Sequence, residues 1–221
     1  MFSWLFLICY LSKRTLPSNY DNAAWFYDRL SRLVYGDNLV KAQTALLHLI
    51  PEKAKILIVG GGTGWIIEEI ARIHPSGLTI TYVEVSANMM ALSKKRAPLN
   101  NVVTYINTPI EEADLTNDFD VVITSFLFDN FSPSTFKRVF NHLNLLLKPG
   151  GIWLNADFQL TGKWWQSPLL KSMYLFFKLL GCMEAKNLAD IKPYFKEAVY
   201  TVVSQAFFFG DFIASTAYRK A

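Results

Sequence analysis

Three consecutive glycines, Gly60-Gly61-Gly62, followed by Thr63 and Gly64, stand between an apolar run (54–60, AKILIVG) and an amphipathic stretch that begins at Trp65. Glycine tolerates positive φ and lets the backbone come close to a ligand. The first turn of a helix adds amide donors that no carbonyl within the helix uses. Glu84 follows Gly64 by 20 residues, at the end of the next apolar run (78–84, LTITYVE). In a βαβ unit that spacing brings a carboxylate beside the ribose hydroxyls of an adenosine-containing ligand. The dinucleotide pattern G-x-G-x-x-G fails in both frames, because Trp65 and Ile67 occupy the third glycine position, and no Gly-Lys-Ser/Thr follows as in a P-loop. The chemistry indicated is ligand binding by backbone amides and one carboxylate.

Those groups need strands and helices to position them. From residue 54 onward, short apolar runs alternate with amphipathic segments, the pattern of an α/β domain with a parallel sheet. Strands are expected at 54–60, 78–84, 101–106, 119–124 and 151–158, and helices at 65–74, 87–97 and 135–148. Pro149-Gly150-Gly151 is expected to end the last of these helices. Residues 163–188 read as an apolar, aromatic helical stretch. Residues 199–218 read as two strands joined by a two-residue turn at Gly210-Asp211.

Composition narrows the class. The 221 residues are 52% hydrophobic, 15% aromatic and 18% charged, which excludes global disorder. A single domain fits the length, and no run of 18 apolar residues is present to span a bilayer. The net charge of +4 is spread along the chain, with Lys94-Lys95-Arg96 the one three-residue cluster, so no nucleic-acid footprint is expected. The two cysteines, Cys9 and Cys182, form no CxxC pair, and the three histidines lack metal-ligand spacing. No metal is expected.

Four segments taken in order, ILIVGGGTG, YVEVSANMMALSKKR, FDVVITSFLFDNF and LLKPGGIWL, resemble the successive motifs of the class I S-adenosylmethionine-dependent methyltransferases. The resemblance covers about residues 54–158. It implies a doubly wound, Rossmann-like seven-stranded sheet, mostly parallel with a C-terminal antiparallel hairpin, and S-adenosyl-L-methionine as cofactor. Carried over, Gly60, Gly61, Gly62 and Gly64 would line its methionine part and Glu84 would bind both ribose hydroxyls. Val85, Met89 and the backbone of Ile110 would border the adenine, while Ser125 and Phe126 would face the transfer site. Ile58 and Pro109 depart from the family, which often has acidic residues there. The triple glycine is also similar to that of the aminopropyltransferases related to spermidine synthase, but the stretch Thr124–Phe128 is apolar where those carry an acidic cluster.

Outside this core lie three apolar additions. Residues 1–18 contain FSWLFLICYL, read as a packed helix or a weak membrane contact. Residues 19–50 form an expected helical lid; Tyr27-Asp28 and Tyr35-Gly36 give it a weaker resemblance to the ubiquinone/menaquinone-biosynthesis C-methyltransferases. Residues 162–190 form an aromatic helical insertion. Tyr20, Tyr27, Asp129, Trp164, Trp165 and Tyr174 are the candidate acceptor-binding residues. No catalytic residue is assigned: Asp129 is the nearest acidic candidate for a base, yet before Ser132-Pro133 it reads first as a loop or capping carboxylate. The function expected is methyl transfer to a small apolar or aromatic acceptor, lipid- or quinone-like acceptors included. A catalytically silent cofactor-binding module and a membrane-surface interaction protein stand as alternatives. A cytoplasmic location, with peripheral contact at the inner membrane surface kept open, completes the expectation.

Overall fold

The central strands are continuous apolar runs because both of their faces are covered. In β1 (Lys55–Val59), Leu57 and Val59 face one layer of the core, and Ile56 and Ile58 face the other. The computed structural model describes residues 32–179 and 188–221. The remaining strands are β2 (Ser76–Val83), β3 (Asn100–Ile106), β4 (Phe119–Ser125), β5 (Leu147–Phe158), β6 (Tyr200–Phe208) and β7 (Ile213–Lys220). They form one seven-stranded sheet in the order β3-β2-β1-β4-β5-β7-β6, with β7 antiparallel to both of its neighbours.

Helices cover both faces. On one, α2 (Trp65–Ile73) buries Ile66, Ile67 and Ile70, and α3 (Ala87–Ser93) adds Met90. On the other, α4 (Pro133–Leu146) packs Phe136 and Phe140 against Trp153 of β5, beside Phe195 of the short α6 (Lys192–Glu197). The Phe195 ring stacks on Tyr218 with centroids 3.8 Å apart, and Phe140 stacks on Trp153 at 5.3 Å. A third cluster, at the carboxyl end of β5 and the amino end of β7, joins α1 (Asn38–Thr44) to α5 (Gln166–Leu179) through Leu39, Phe158, Leu170 and Phe212. Much of the aromatic excess is therefore core.

Three local expectations shift. The helix before Pro149 ends earlier, at Leu146, and Leu147 is already extended and paired with Phe119. Burial of Leu147 against β4 outweighs continuation of the helix, and the Pro-Gly-Gly segment becomes an irregularity inside β5, where the register shifts. The hairpin turn is four residues, Phe209 to Phe212, not two; Phe209, Gly210 and Asp211 all take positive φ, and the buried Phe212 anchors it. The aromatic insertion is not apolar core all round: α5 buries Gln166, Leu170 and Tyr174 but leaves Leu175 and Leu179 largely exposed. Among the described residues, no helix is long and apolar enough to cross a membrane. Residues 1–18 and the greater part of the expected lid's first half, through residue 31, lie outside the described residues.

Candidate functional site

Strand register brings the site together. Val59 pairs with Val83 on one side and Thr124 on the other, so Gly60, Glu84 and Ser125 leave the sheet at the same level. Ser125 pairs in turn with Ala156, which sets Phe126 level with Asp157. β1 and β4 are neighbours where the strand order reverses, and the carboxyl edge at such a switch point is where open α/β sheets bind ligands. A cavity of about 360 Å³ opens there.

The glycine loop forms one wall. Gly60, Gly62 and Gly64 all have positive φ. A Cβ on Gly60 would come within 2.8 Å of Leu127, whereas one on Gly62 would meet nothing within 4 Å, because Gly62 faces the open cavity. Gly64 does not line the cavity; a Cβ there would come within 2.7 Å of the Ser93 backbone, so its role is close packing of α2 on α3. From beneath, the Tyr82 hydroxyl donates to the Gly62 carbonyl at 2.8 Å and Arg96 Nε donates to the Thr63 carbonyl at 3.0 Å. Burial holds the Tyr82 phenol protonated, well above its ordinary pKa. Tyr82→Phe is expected to cost about 1 kcal/mol of stability, the worth of one such hydrogen bond, read as a lowered denaturant midpoint with an unchanged slope.

Glu84 is buried and turned back toward this loop. Its Oε2 accepts from the Gly62 N–H at 3.0 Å, and its Oε1 accepts from the Ser86 N–H at 2.9 Å. Asn107, which sequence reasoning missed, ties the chain down behind it: Nδ2 donates to the Glu84 carbonyl at 2.7 Å and to the Val85 carbonyl at 3.1 Å. An asparagine one residue past the end of β3 carries no signal in a single sequence. Asn107→Ala should weaken ligand binding at the Glu84 end by about tenfold, as loss of one to two side-chain hydrogen bonds predicts, measurable by calorimetry. Val85 and Met89 line the cavity as expected, whereas Ile110 is buried in the core and does not.

The far wall is aromatic. Phe126 holds a positive φ of 52°, unusual for a bulky residue. Its N–H donates to Ala156 at 2.7 Å, and Asn130 Nδ2 donates to its carbonyl at 2.8 Å. Its ring meets Phe158 at 5.0 Å, and Phe158 meets Tyr35 at 5.5 Å. The Tyr35 hydroxyl donates to Met173 Sδ at 3.2 Å, linking residues 32–35 to α5. Leu169, Met173 and Phe176 carry the α5 side of the wall.

Of the two readings of Asp129, a loop or a capping carboxylate, the structure has the loop one, in buried form. Ser132 Oγ accepts from Thr135 N–H and caps α4, leaving Asp129 only 5% exposed at the cavity wall, in the single turn Phe128–Asn130. Of the other acceptor candidates, Trp164 is 86% exposed, and Trp165 packs on Phe209 and Phe212 without reaching the cavity. Tyr174 is buried behind the wall. Tyr20 and Tyr27 lie outside the described residues.

Residues 56–151 match a family model described as a methyltransferase domain. That stretch of the chain is similar to the methyltransferase domains the model describes. The chain is 27% identical over 163 residues to a malonyl-[acyl-carrier protein] O-methyltransferase of Halalkalibacterium halodurans, covering 67% of this chain and 56% of that one. It is 29% identical over 126 residues to a ubiquinone biosynthesis O-methyltransferase of Paramagnetospirillum magneticum, covering 56% and 48%. The chain spans about half the length of these curated relatives. Its fold is similar to that of the Burkholderia thailandensis 1,6-didemethyltoxoflavin-N1-methyltransferase, solved with bound 1,6-didemethyltoxoflavin and S-adenosylhomocysteine, at a TM-score of 0.61 and 16% identity over 89% of this chain and 84% of that one.

Proposed function

We propose that this protein transfers a methyl group from S-adenosylmethionine to a small apolar or aromatic acceptor. The observation that carries the reading is Glu84, whose carboxylate is fixed by two backbone amides at the rim of a cavity that turns aromatic beyond the glycine loop. The donor set suits the cofactor. The carboxylate can receive ribose hydroxyls, Val85 and Met89 offer apolar surface to a purine, and the open side of Gly62 leaves room for a chain to pass close to the backbone. When bound, S-adenosylmethionine supplies a methyl group on a positively charged sulfur, already activated for displacement.

What remains for the protein is alignment and exclusion of water, and alignment alone supplies several kcal/mol of barrier lowering. Phe126, Phe158, Tyr35 and Met173 enclose the acceptor end with apolar surface. Calorimetry with S-adenosylmethionine and with its demethylated product tests the donor half of the reading. Saturable binding at micromolar concentrations is expected, and no heat at millimolar ligand would overturn it. A screen with methyl-labelled donor against small aromatic and aliphatic acceptors tests the other half; labelling restricted to large polar acceptors would overturn that part.

A further inference from the structure

The mouth of the cavity is apolar on both sides. Val34 and Phe176 line the cavity and yet are 40% and 38% exposed, so they mark where it opens. The two sides are tied together by the Tyr35 hydroxyl, which donates to Met173 Sδ. Outward from the mouth, Leu33 is 83% exposed, and on α5 Leu175 and Leu179 are 60% and 78% exposed. Leu175 and Leu179 are four residues apart, and Phe176 and Leu179 three, so along the helix they are neighbours. Trp164, in the turn that opens α5, is exposed as well. Exposed apolar residues gathered in one place mark a binding face, whereas scattered ones do not.

Charge chooses the partner. Lys171 and Lys178 are both exposed and seven residues apart on α5, so they share one flank of the Leu175–Leu179 line. The helix holds no aspartate or glutamate, and neither lysine pairs with an acid among the described residues. Residues 32–44 add Arg32 and Lys41 against the single acid Asp37. An apolar stripe flanked by lysines is the pattern of a helix lying in the interface of an anionic bilayer. Leucine and phenylalanine enter the acyl boundary, and the lysine stems reach back to the headgroups. Tryptophan suits the same depth. A second copy of the chain would bring the same positive charge to the patch and shut both cavities.

We propose that this protein docks on the surface of an anionic lipid bilayer through the outer face of α5 and residues 32–34, with the cavity mouth turned toward the lipid. At 14 residues α5 is too short to span the bilayer, so the contact is peripheral. Phe126, Phe158 and Met173 continue the apolar surface inward from Val34 and Phe176. An apolar acceptor therefore passes from lipid into the cavity without crossing water, a consequence that rests on the methyl-transfer reading above.

The test sediments the full chain with vesicles of phosphatidylcholine, alone or mixed with phosphatidylglycerol. Binding to the mixed vesicles should be about tenfold or more tighter than to phosphatidylcholine alone, and added salt should weaken it. Lys171→Gln with Lys178→Gln should weaken it by about 25-fold, about fivefold for each basic residue near an anionic surface. Leu175→Gln with Leu179→Gln should weaken it by about tenfold or more through lost apolar burial. All four side chains are exposed and none lines the cavity, so melting points and donor affinity by calorimetry should stay those of the parent. Vesicle binding that survives both double substitutions puts the contact elsewhere, residues 2–11 included, and overturns the proposal. So does equal binding to both kinds of vesicle, binding to neither, or a vesicle-free dimer by light scattering that the leucine substitutions abolish. Vesicle binding without donor binding overturns the methyl-transfer reading alone, and the reverse pattern overturns the docking alone.

Discussion

At pH 8 the Asp157→Asn protein is expected to melt above the parent by about 8–16 °C, although it replaces a buried residue. The reasoning is linkage. The Asp157 carboxyl ionises at about 7 in the folded chain against 3.8 when unperturbed, because burial opposes its charge. The folded state thus binds a proton more tightly than the unfolded state, so this group's contribution is whole below about pH 4 and is lost as pH rises toward 7. At about 1.4 kcal/mol per unit, the parent carries a penalty of roughly 4 kcal/mol above neutrality that an amide does not. For a chain of this size each kcal/mol moves the midpoint by roughly 2–4 °C. Asparagine retains an oxygen for the Phe158 N–H and has no charge to bury. Calorimetric scans of both proteins from pH 4 to 9 check this; the gap should open between pH 4 and 7 and stay flat above. Asp118 and Asp120, both held low by hydrogen bonds from lysines, act in the opposite sense in acid but are common to both proteins. Parallel curves would exclude the elevated carboxyl.

Glu84→Ala is expected to weaken S-adenosylmethionine binding by about 100-fold. Hydrogen bonds to a charged group are worth about 1.5–3 kcal/mol each, and two ribose hydroxyls are proposed to share this carboxylate, so about 2.7 kcal/mol is a moderate expectation. The substitution also takes the Gly62 and Ser86 amides' acceptor away, and a looser glycine loop adds to the loss. Glu84→Gln keeps an oxygen for one amide and should lose about tenfold, the worth of one 1.4 kcal/mol contact. Titration calorimetry with the demethylated product measures both. Equal affinity in all three proteins would remove Glu84 from the ribose.

The cofactor end was legible in the sequence because its signals are local. A glycine run after a buried strand, and an acid 20 residues on at the next strand end, are pinned by strand geometry to one sheet edge. The acceptor end is assembled from residues far apart: Tyr35, Asp129, Phe158 and Met173 come from residues 32–35, a turn after β4, β5 and α5. Asp157 is hidden within an apolar strand pattern, and its place level with Phe126 depends on the pairing of Ser125 with Ala156. Trp164 misled for the converse reason. An aromatic residue beside a helix start looks like a pocket wall, but its direction is set by how α5 docks, and that docking aims Tyr174 inward and Trp164 outward. The early end of α4 has the same origin, since pairing with Phe119 claims Leu147 before proline can act.

The place of β7 between β5 and β6 bears on how the protein is made. Asp157 is paired to Ala214, so the strand that carries it has an open edge until residues 213–220 have left the ribosome. The parallel half of the sheet, β1 to β5, can assemble as it emerges, but the acceptor wall waits for the last strand to slot into an interior position. A nascent chain halted before β7 emerges would carry the glycine loop and Glu84 without a closed acceptor wall. Donor binding should therefore mature earlier during synthesis than acceptor binding, a difference in timing written into strand order alone.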